Sequence, residues 1–386
     1  MNNSSGTVLL MVLILSAIMY LIAGTLLLVT MTEVHLADFE QRSTQAFYAA
    51  ESSVTLGLAK LRTDPDYRTD ASDTTSIGAN TGLLNAQFYD GTNDGNGHFR
   101  KSLAPSLYRL VIRGTGSVPG LDAAARRTVE REVVLKPFAL FAQATLTLAG
   151  GCTIKGNVHG NVAVTIEIGS TVTGDVTSQS SSEPPITLPG SPISLYFPKY
   201  WYNGAEYDAQ PLTHDTVTLS PAGGVDPPAP AIEVYSGFPT SDNPAGVFYP
   251  DSEISGSLVA LQVQGTVIIP SPQNLSLTGA VTITPVANFP ALIGATDLTL
   301  MLMGNLEIFS ASLEKSRIQG LIYAKGDLAI TGNDAPGEMI TGSILGRNIM
   351  ITGNPIIQVK YDPAVMSNPP PGIDLIELGE WREVFE

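Results

Sequence analysis

The chain has 386 residues, enough for two domains or one elongated one. Only 15% are charged, against roughly 25% in an ordinary globular domain, and 37 Gly with 27 Pro point to a turn-rich β body rather than a helical bundle. The formal charge of −16 argues against nucleic acid as a partner, because phosphate binding needs clustered Lys and Arg.

From Val8 to Met31 no residue is charged, and Leu, Ile, Val and Met dominate. About 20 apolar residues cross a hydrocarbon core as a helix, so this run is long enough to span a membrane. A buried core helix and a cleavable secretory signal are the competing readings. The second needs a basic leader, a shorter apolar run and a small-residue cleavage site. MNNSS holds no Lys or Arg, and no A-x-A site follows the run. Retention in the membrane is therefore expected. Past Met31 no proline occurs until Pro65, and Phe39, Ser43, Phe47, Ala50, Val54, Leu58 and Leu61 recur at spacings of three and four, one face of a helix. Residues 7–62 are predicted to form one helix of about 80 Å. Its first half (8–31) suits lipid, and its second half needs a protein partner along the stripe. No Lys or Arg precedes Arg42, so basic residues give no orientation, while Glu33, Asp38 and Glu40 fit a non-cytoplasmic flank.

Residues 63–100 are rich in Asp, Thr, Asn and Gly and read as a surface loop. Within it Asp90 to Asn96 resembles the start of a calcium loop, but the third position is Thr92 and the twelfth is Lys101, where a bidentate Glu belongs. The segment reads as a polar turn, and no metal is assigned. Tyr108 to Gly114 and Arg127 to Leu135 alternate apolar and polar residues about a turn at 116–125. Leu110 and Ile112 share one face, as do Val129, Arg131 and Val133, so an antiparallel hairpin is expected to cover the amphipathic half of the helix.

After Pro137 short β-branched runs flank Gly steps, as in Ile154–Val158, Val172–Val176, Leu277–Val281, Ile340–Ile344 and Ile351–Asn354. Aliphatics on either side of a Gly corner are how a parallel β-solenoid turns its chain, with an ordinary β-sandwich as the alternative. Cys152, the single cysteine, allows no intramolecular disulfide, so packing alone must hold this body. Residues 184–250 interrupt the repeats with many prolines and the aromatics Tyr196, Phe197, Tyr200, Trp201 and Tyr202. They are expected to leave the solenoid as a separate excursion or lid. Its aromatics are candidates for surface binding of sugars or protein, or for packing against the solenoid wall. The expected class is α+β: a long N-terminal helix, an antiparallel hairpin or sheet, then a solenoid-like body over 138–363 and a tail over 364–386. Pro369, Pro370 and Pro371 predict a stiff, extended link to that tail.

Catalytic chemistry on a β-helix needs carboxylates clustered on one wall, alone or with Lys or Arg. Lys325, Asp327 and Arg347 are the candidates, though the first two read equally as a surface pair. His159 and His214 have no companions at metal-ligand or triad spacing, and no nucleophile elbow, zincin motif or P-loop occurs. The sequence predicts neither enzyme activity nor a cofactor.

A short polar leader ending in Gly6, an apolar stretch, and Ala46 to Leu61 (AFYAAESSVTLGLAKL) together resemble the N-terminus of PilX-type minor pilins of type IV pili. The segment Phe47-Tyr48-Ala49-Ala50-Glu51 carries most of that resemblance. Gly320 to Asp327, Gly342 to Gly346, Val359 to Pro363 and Trp381 to Val384 resemble the C-terminal β-helical module often found behind such N-termini. In that module the final Trp-Arg-Glu segment packs back on the body. The resemblance implies cleavage by a prepilin peptidase between Gly6 and Thr7. It also implies assembly through the helix, with Met11, Phe39, Phe47, Tyr48 and Glu51 as the residues to watch. Its implied partners are the membrane, other major and minor pilins, and a tip adhesin. The implied location is the inner membrane with a periplasmic body, then the pilus surface. Two departures stand out: the leader lacks Lys and Arg, and Met11 occupies the fifth mature position, where major pilins carry Glu. Loss of that Glu is common among PilX-like and tip-located pilins, which implies a specialised place in the fibre, priming assembly or displaying an adhesive module. A permanently anchored envelope protein, a type II secretion pseudopilin and a carbohydrate-active enzyme are the alternatives.

Overall fold

A computed structural model describes residues 4–63, 85–89, 109–118, 125–178, 185–218, 231–273, 275–286, 289–295, 298–303, 306–308, 311–313, 316–333, 338–354 and 357–384. The calcium-loop-like segment 90–101 and most of the predicted loop 63–100 lie outside the described residues. The chain divides into two compact units. One holds residues 1–59, 68–133 and 378–386, and the other holds 60–67 and 134–377. In chain order the second unit is thus set between two parts of the first.

The first unit is a helix against a sheet. Helix α1 (Ser4–Thr63) has 60 residues, about 90 Å at 1.5 Å each. Strands β1 (Asn85–Tyr89), β2 (Arg109–Val118) and β3 (Ala125–Leu135) are joined by a C-terminal strand, Ile376–Val384, in that order across the sheet. β1 and β2 run antiparallel, with Phe88 opposite Ile112. Arg113 reaches Glu130 and Thr115 reaches Thr128, an order that also sets β2 against β3 in opposite directions. The expected hairpin is present. The C-terminal residues pack back on this sheet, where Ile376–Val384 supplies the last strand. The proline link is not extended, since α2 (Ala364–Ser367) precedes a turn in which the Ile373 N–H donates to the Pro370 carbonyl.

The helix surface that meets this sheet is narrower than the predicted stripe. Ser43, Ala46, Ala49, Ala50, Ser53 and Val54 are buried, whereas Phe39 is 50% exposed and Phe47 and Leu58 are half-buried. Small side chains win because β2 approaches very closely. A Cβ on Gly116 would lie 1.9 Å from the Ala46 carbonyl oxygen, and one on Gly114 would lie 2.3 Å from that of Ala50. Two glycines facing two alanines let backbone touch backbone, and a Phe at either level would hold the layers apart.

The second unit is a parallel β-solenoid, as the Gly spacing predicts, and its parallel pairing excludes the sandwich. The chain enters at β4 (Phe138–Ala142) and passes through β5 (Thr145–Ala149), β6 (Thr153–Lys155), β7 (Asn157–Gly160), β8 (Ala163–Ile166), β9 (Thr171–Val172) and β10 (Val176–Ser178). β4 stacks on β7 and β7 on β10, while β5 stacks on β8 and β6 on β9. Three short strands make a coil of 18 residues, the separation of Thr153 from Thr171 and of His159 from Thr177. Aliphatics stack in ladders along the interior. One runs Val267, Leu292, Ile322, Ile344, Leu140, Val158, Val176. Another runs Ile283, Ile318, Ile340, Val359, Ile154, Val172. Gly342 shows why the corners need glycine: its φ is +151°, and a Cβ there would lie 1.8 Å from the Gly320 carbonyl of the neighbouring coil.

The order of coils in space differs from their order in sequence. The strands Glu338–Gly346, Asn348–Asn354 and Gln358–Tyr361 pair in parallel with β4, β5 and β6, with Ile344 opposite Leu140, Ile349 opposite Leu146 and Val359 opposite Ile154. The described strands from Gln210 to Tyr361 therefore form the first part of the stack and residues 138–178 continue it. The chain enters and leaves at this internal seam. Residues 185–209 lead from one end of the stack toward the other. Asn161 accepts from the Ile186 N–H at 3.2 Å, and Tyr323 donates to the Pro189 carbonyl at 2.8 Å. This corrects the expected excursion over 184–250. Among the described residues of 210–249, the strands Ala231–Gly237 and Val247–Tyr249 belong to the solenoid, each paired in parallel with the next coil. Proline density concealed these strands.

Lys136 lies beside the seam with its side chain only 2% exposed. Its Nζ is 3.3 Å from a Glu377 carboxylate oxygen, and its backbone N–H donates to the Leu375 carbonyl at 2.9 Å. Burial lowers its pKa below the usual 10.5, partly opposed by Glu377 and Asp374. The unfolded chain then binds the proton more tightly, so stability rises with pH between the lowered value and 10.5. Lys136→Met is expected to abolish that alkaline gain without loss of stability at neutral pH, because a buried cation is replaced by an apolar chain of similar length. Denaturation midpoints measured against pH, for parent and variant, check both expectations.

Candidate functional site

The apolar half of α1 has no partner among the described residues. It is a single helix long and apolar enough to cross a membrane, and none of its most apolar window is buried. Four of its hydroxyls are satisfied within the helix. Ser16 donates to the Val12 carbonyl, Thr25 to Ile22, Thr30 to Leu26 and Thr32 to Leu28, all at 2.8–2.9 Å. Hydroxyls folded back on their own helix leave a surface that hydrocarbon tolerates. Met11 stands on this surface, exposed, as does Phe39 just beyond it. Gly6 and Thr7 lie in the first turns of the same helix.

Further along α1 the structure brings together three of the residues singled out in the sequence. Phe47 meets Tyr48 and Trp381 edge-on, each with ring centroids 5.8 Å apart, and Trp381 Nε1 donates to Glu51 Oε1. Tyr48 is 64% exposed, so an aromatic ridge stands beside a shallow cavity of about 190 Å³. The cavity is lined by Ser43, Thr44, Phe47, Tyr48, Arg127 and Glu383. Arg127 spans it: Nη1 lies 2.9 Å from Glu383 Oε1, and Nε donates to Ser43 Oγ at 2.8 Å. The pairing of Arg127 with Glu383 carries no signal in the sequence, the two being 256 residues apart. Trp381 was visible only as part of the closing Trp-Arg-Glu segment.

The aromatic cluster of the second unit divides. Tyr196, Tyr200 and Tyr202 surround Phe289 edge-on at 5.6, 6.0 and 5.7 Å. Tyr196 donates to the Pro371 carbonyl at 2.9 Å and Tyr200 to Asn243 Oδ1 at 2.6 Å. Tyr196 and Tyr200 are buried, and burial raises the pKa of both phenols. They are therefore not surface residues, and packing against the solenoid describes them. Phe197 stacks edge-on with Tyr249 at 5.0 Å, half-buried. Trp201 alone of the five is fully outward, at 67% exposure.

The polar candidates for catalysis are engaged in structure. Arg347 Nε and Nη2 both lie 2.9 Å from Asp327 Oδ1, and Asn348 donates to the same oxygen at 2.8 Å. His159 stacks with both Phe138 and Phe141 and bonds Thr177 and Asn161 at 2.9 and 3.0 Å. His214 stacks on Tyr235 at 4.4 Å. Among the described residues no three His, Cys, Asp or Glu side chains gather as a metal site.

These features define a class: an α+β protein whose long helix is lipid-like in its first half and sheet-packed in its second, with a solenoid set in chain order between its sheet strands. No family model and no curated protein matches the chain. Among solved structures, the crystal structure of the competence-associated pilin ComZ from Thermus thermophilus is similar over 89% of this chain and 98% of that one, at 12% identity and a TM-score of 0.28.

Proposed function

We propose that the chain is a minor pilin of the PilX kind, a non-catalytic subunit of a type IV pilus. The observation that carries this reading is the division of α1. The same helix offers an unpartnered apolar surface from Val8 to Met31 and a small-residue face closed onto a sheet from Ser43 to Val54. A helix built this way can lie in the inner membrane and later pack beside the helices of other pilins, while the sheet and solenoid stay outside. In this reading prepilin peptidase cuts between Gly6 and Thr7. Met11, in place of a carboxylate, makes the subunit a specialised one that primes assembly or displays the solenoid near the tip, with major pilins and a tip adhesin as neighbours.

The test is processing followed by location. In a host carrying the peptidase, the wild-type chain is expected to lose residues 1–6, as read by intact mass, and Gly6→Phe to keep them. Shearing the cells should release the processed chain with the pili. A wild-type chain that retains its leader sinks the processing claim. A chain that stays wholly with the membrane after shearing is instead a permanently anchored envelope protein or a pseudopilin.

A further inference from the structure

Residues 199–208 form a hairpin whose two faces differ. Lys199–Tyr202 runs antiparallel to Ala205–Asp208, with Lys199 opposite Asp208, Tyr200 opposite Tyr207 and Trp201 opposite Glu206. Asn203 and Gly204 make the two-residue turn, with φ of +48° and +82°, the backbone that tight hairpins require. Alternation then sorts the side chains. On the inner face Tyr200 and Tyr207 stack at 5.7 Å, and the Tyr200 hydroxyl donates to Asn243 Oδ1 and accepts from the Ala245 N–H at 3.4 Å. The Ala209 N–H closes the base on the Pro198 carbonyl at 2.8 Å. The outer face carries Lys199, Trp201, Glu206 and Asp208, all more than half exposed. Lys199 Nζ lies 3.0 Å from Glu206 Oε2 and 3.8 Å from Asp208 Oδ1.

We propose that this outer face binds a neutral, β-linked glycan of glucose type, with one pyranose ring stacked on the Trp201 indole. An exposed Trp on a strand anchored from behind offers a large rigid apolar plane that loses little entropy on binding. The groups beside it suit hydroxyls: Glu206, directly across the strand pair, and Asp208 accept, and Lys199 donates. Charge decides against other ligands. Lys199 already bridges both carboxylates, so an incoming cation meets an ammonium and little uncompensated charge. An anionic glycan meets two carboxylates against one ammonium. A protein partner needs about 800 Å² a side, with a core depleted in charge, whereas this face consists of four side chains, three of them charged. Shape narrows the sugar. A Cβ on Gly204 would meet nothing within 4 Å, so the turn adds no wall, and a single flat indole suits a ring whose substituents are all equatorial. This inference does not depend on the pilin reading.

The probe is cellotetraose, titrated into the full chain in a polyoxyethylene detergent, which has no sugar headgroup. The chain has two tryptophans, so the indole N–H resonance of Trp201 reports binding and that of Trp381 is the internal control. A saturable shift of the Trp201 resonance alone is expected, with at least fivefold weaker binding of the same tetramer oxidised to carboxylates at C6. Saturation transfer to the sugar should fall at least tenfold for Trp201→Ala, at an unchanged melting temperature, and recover in part with Trp201→Tyr. Absence of a saturable shift at Trp201, undiminished transfer from Trp201→Ala, or equal binding of the oxidised tetramer would overturn the proposal. So would a Trp201 shift that saturates with choline at lower concentration than with the sugar, which assigns the face to a cation.

Discussion

Glu130→Ala is expected to destabilise the helix–sheet unit by about 3–5 kcal/mol, the cost of removing one partner from a buried ion pair. Glu130 sits on β3 with its side chain 0% exposed. Arg113 of β2 approaches Oε1 at 2.7 Å, and Arg382 of the C-terminal strand approaches Oε2 at 2.7 and 2.9 Å. One carboxylate thus ties three strands together and pairs with two guanidinium groups, one at each oxygen. Deleting it removes the carboxylate that both guanidinium groups contact and brings their like charges together without it. Arg382→Ala should cost less, because Arg382 is 31% exposed and Glu130 retains Arg113. The measurement is denaturant unfolding of the full chain in a Trp201→Phe background, so that Trp381, the other of two tryptophans, reports this unit. A Glu130→Ala midpoint equal to the parent's would show that the carboxylate is structurally idle.

Glu130 also marks a limit of the sequence. The alternation over Arg127 to Leu135 places Val129 and Val133 on one face and leaves Glu130 looking like a solvated residue. It is buried because both faces of this strand are covered, and its second cation lies 252 residues away. Local periodicity carries no information about either. What periodicity did carry was the helix and the coil corners. The apolar run and the three-and-four spacing are properties of α1 alone, and a Gly between two aliphatics is a property of one corner. At Phe39, 50% exposed, hydrophobicity is no sign of contact. Close backbone approach instead selected Ala46 and Ala50. The strands Ala231–Gly237 and Val247–Tyr249 are hidden for a related reason: prolines at their borders read as an interruption, while their pairing partners are one coil further on. Tyr196 and Tyr200 were visible as aromatics, but only Phe289, some 90 residues later in sequence, makes them interior.

The seam between the two halves of the solenoid should be far more sensitive than the partly exposed coil at Val176, although one ladder runs through both. Leu140 is buried between Ile344 on one coil and Val158 on the next, and Val176 is the last rung. Leu140→Ala removes a side chain walled on both sides, where neighbours held by parallel strands cannot collapse inward, so a loss of about 2–5 kcal/mol is expected. Val176→Ala deletes methyl groups that already touch solvent and should cost less than about 1 kcal/mol. The contrast has a kinetic side. Joining Leu140 to Ile344 closes a loop of some 200 residues, so the seam forms only after both flanking stacks exist, and its pairing gives a slow folding phase. Leu140→Ala should then slow refolding more than an equally destabilising change inside one flank, such as Leu300→Ala. Stopped-flow refolding of the full chain in detergent separates the cases. Equal slowing by the two variants would mean that the seam forms together with the flanks, and the solenoid would fold as one cooperative unit despite its permuted order.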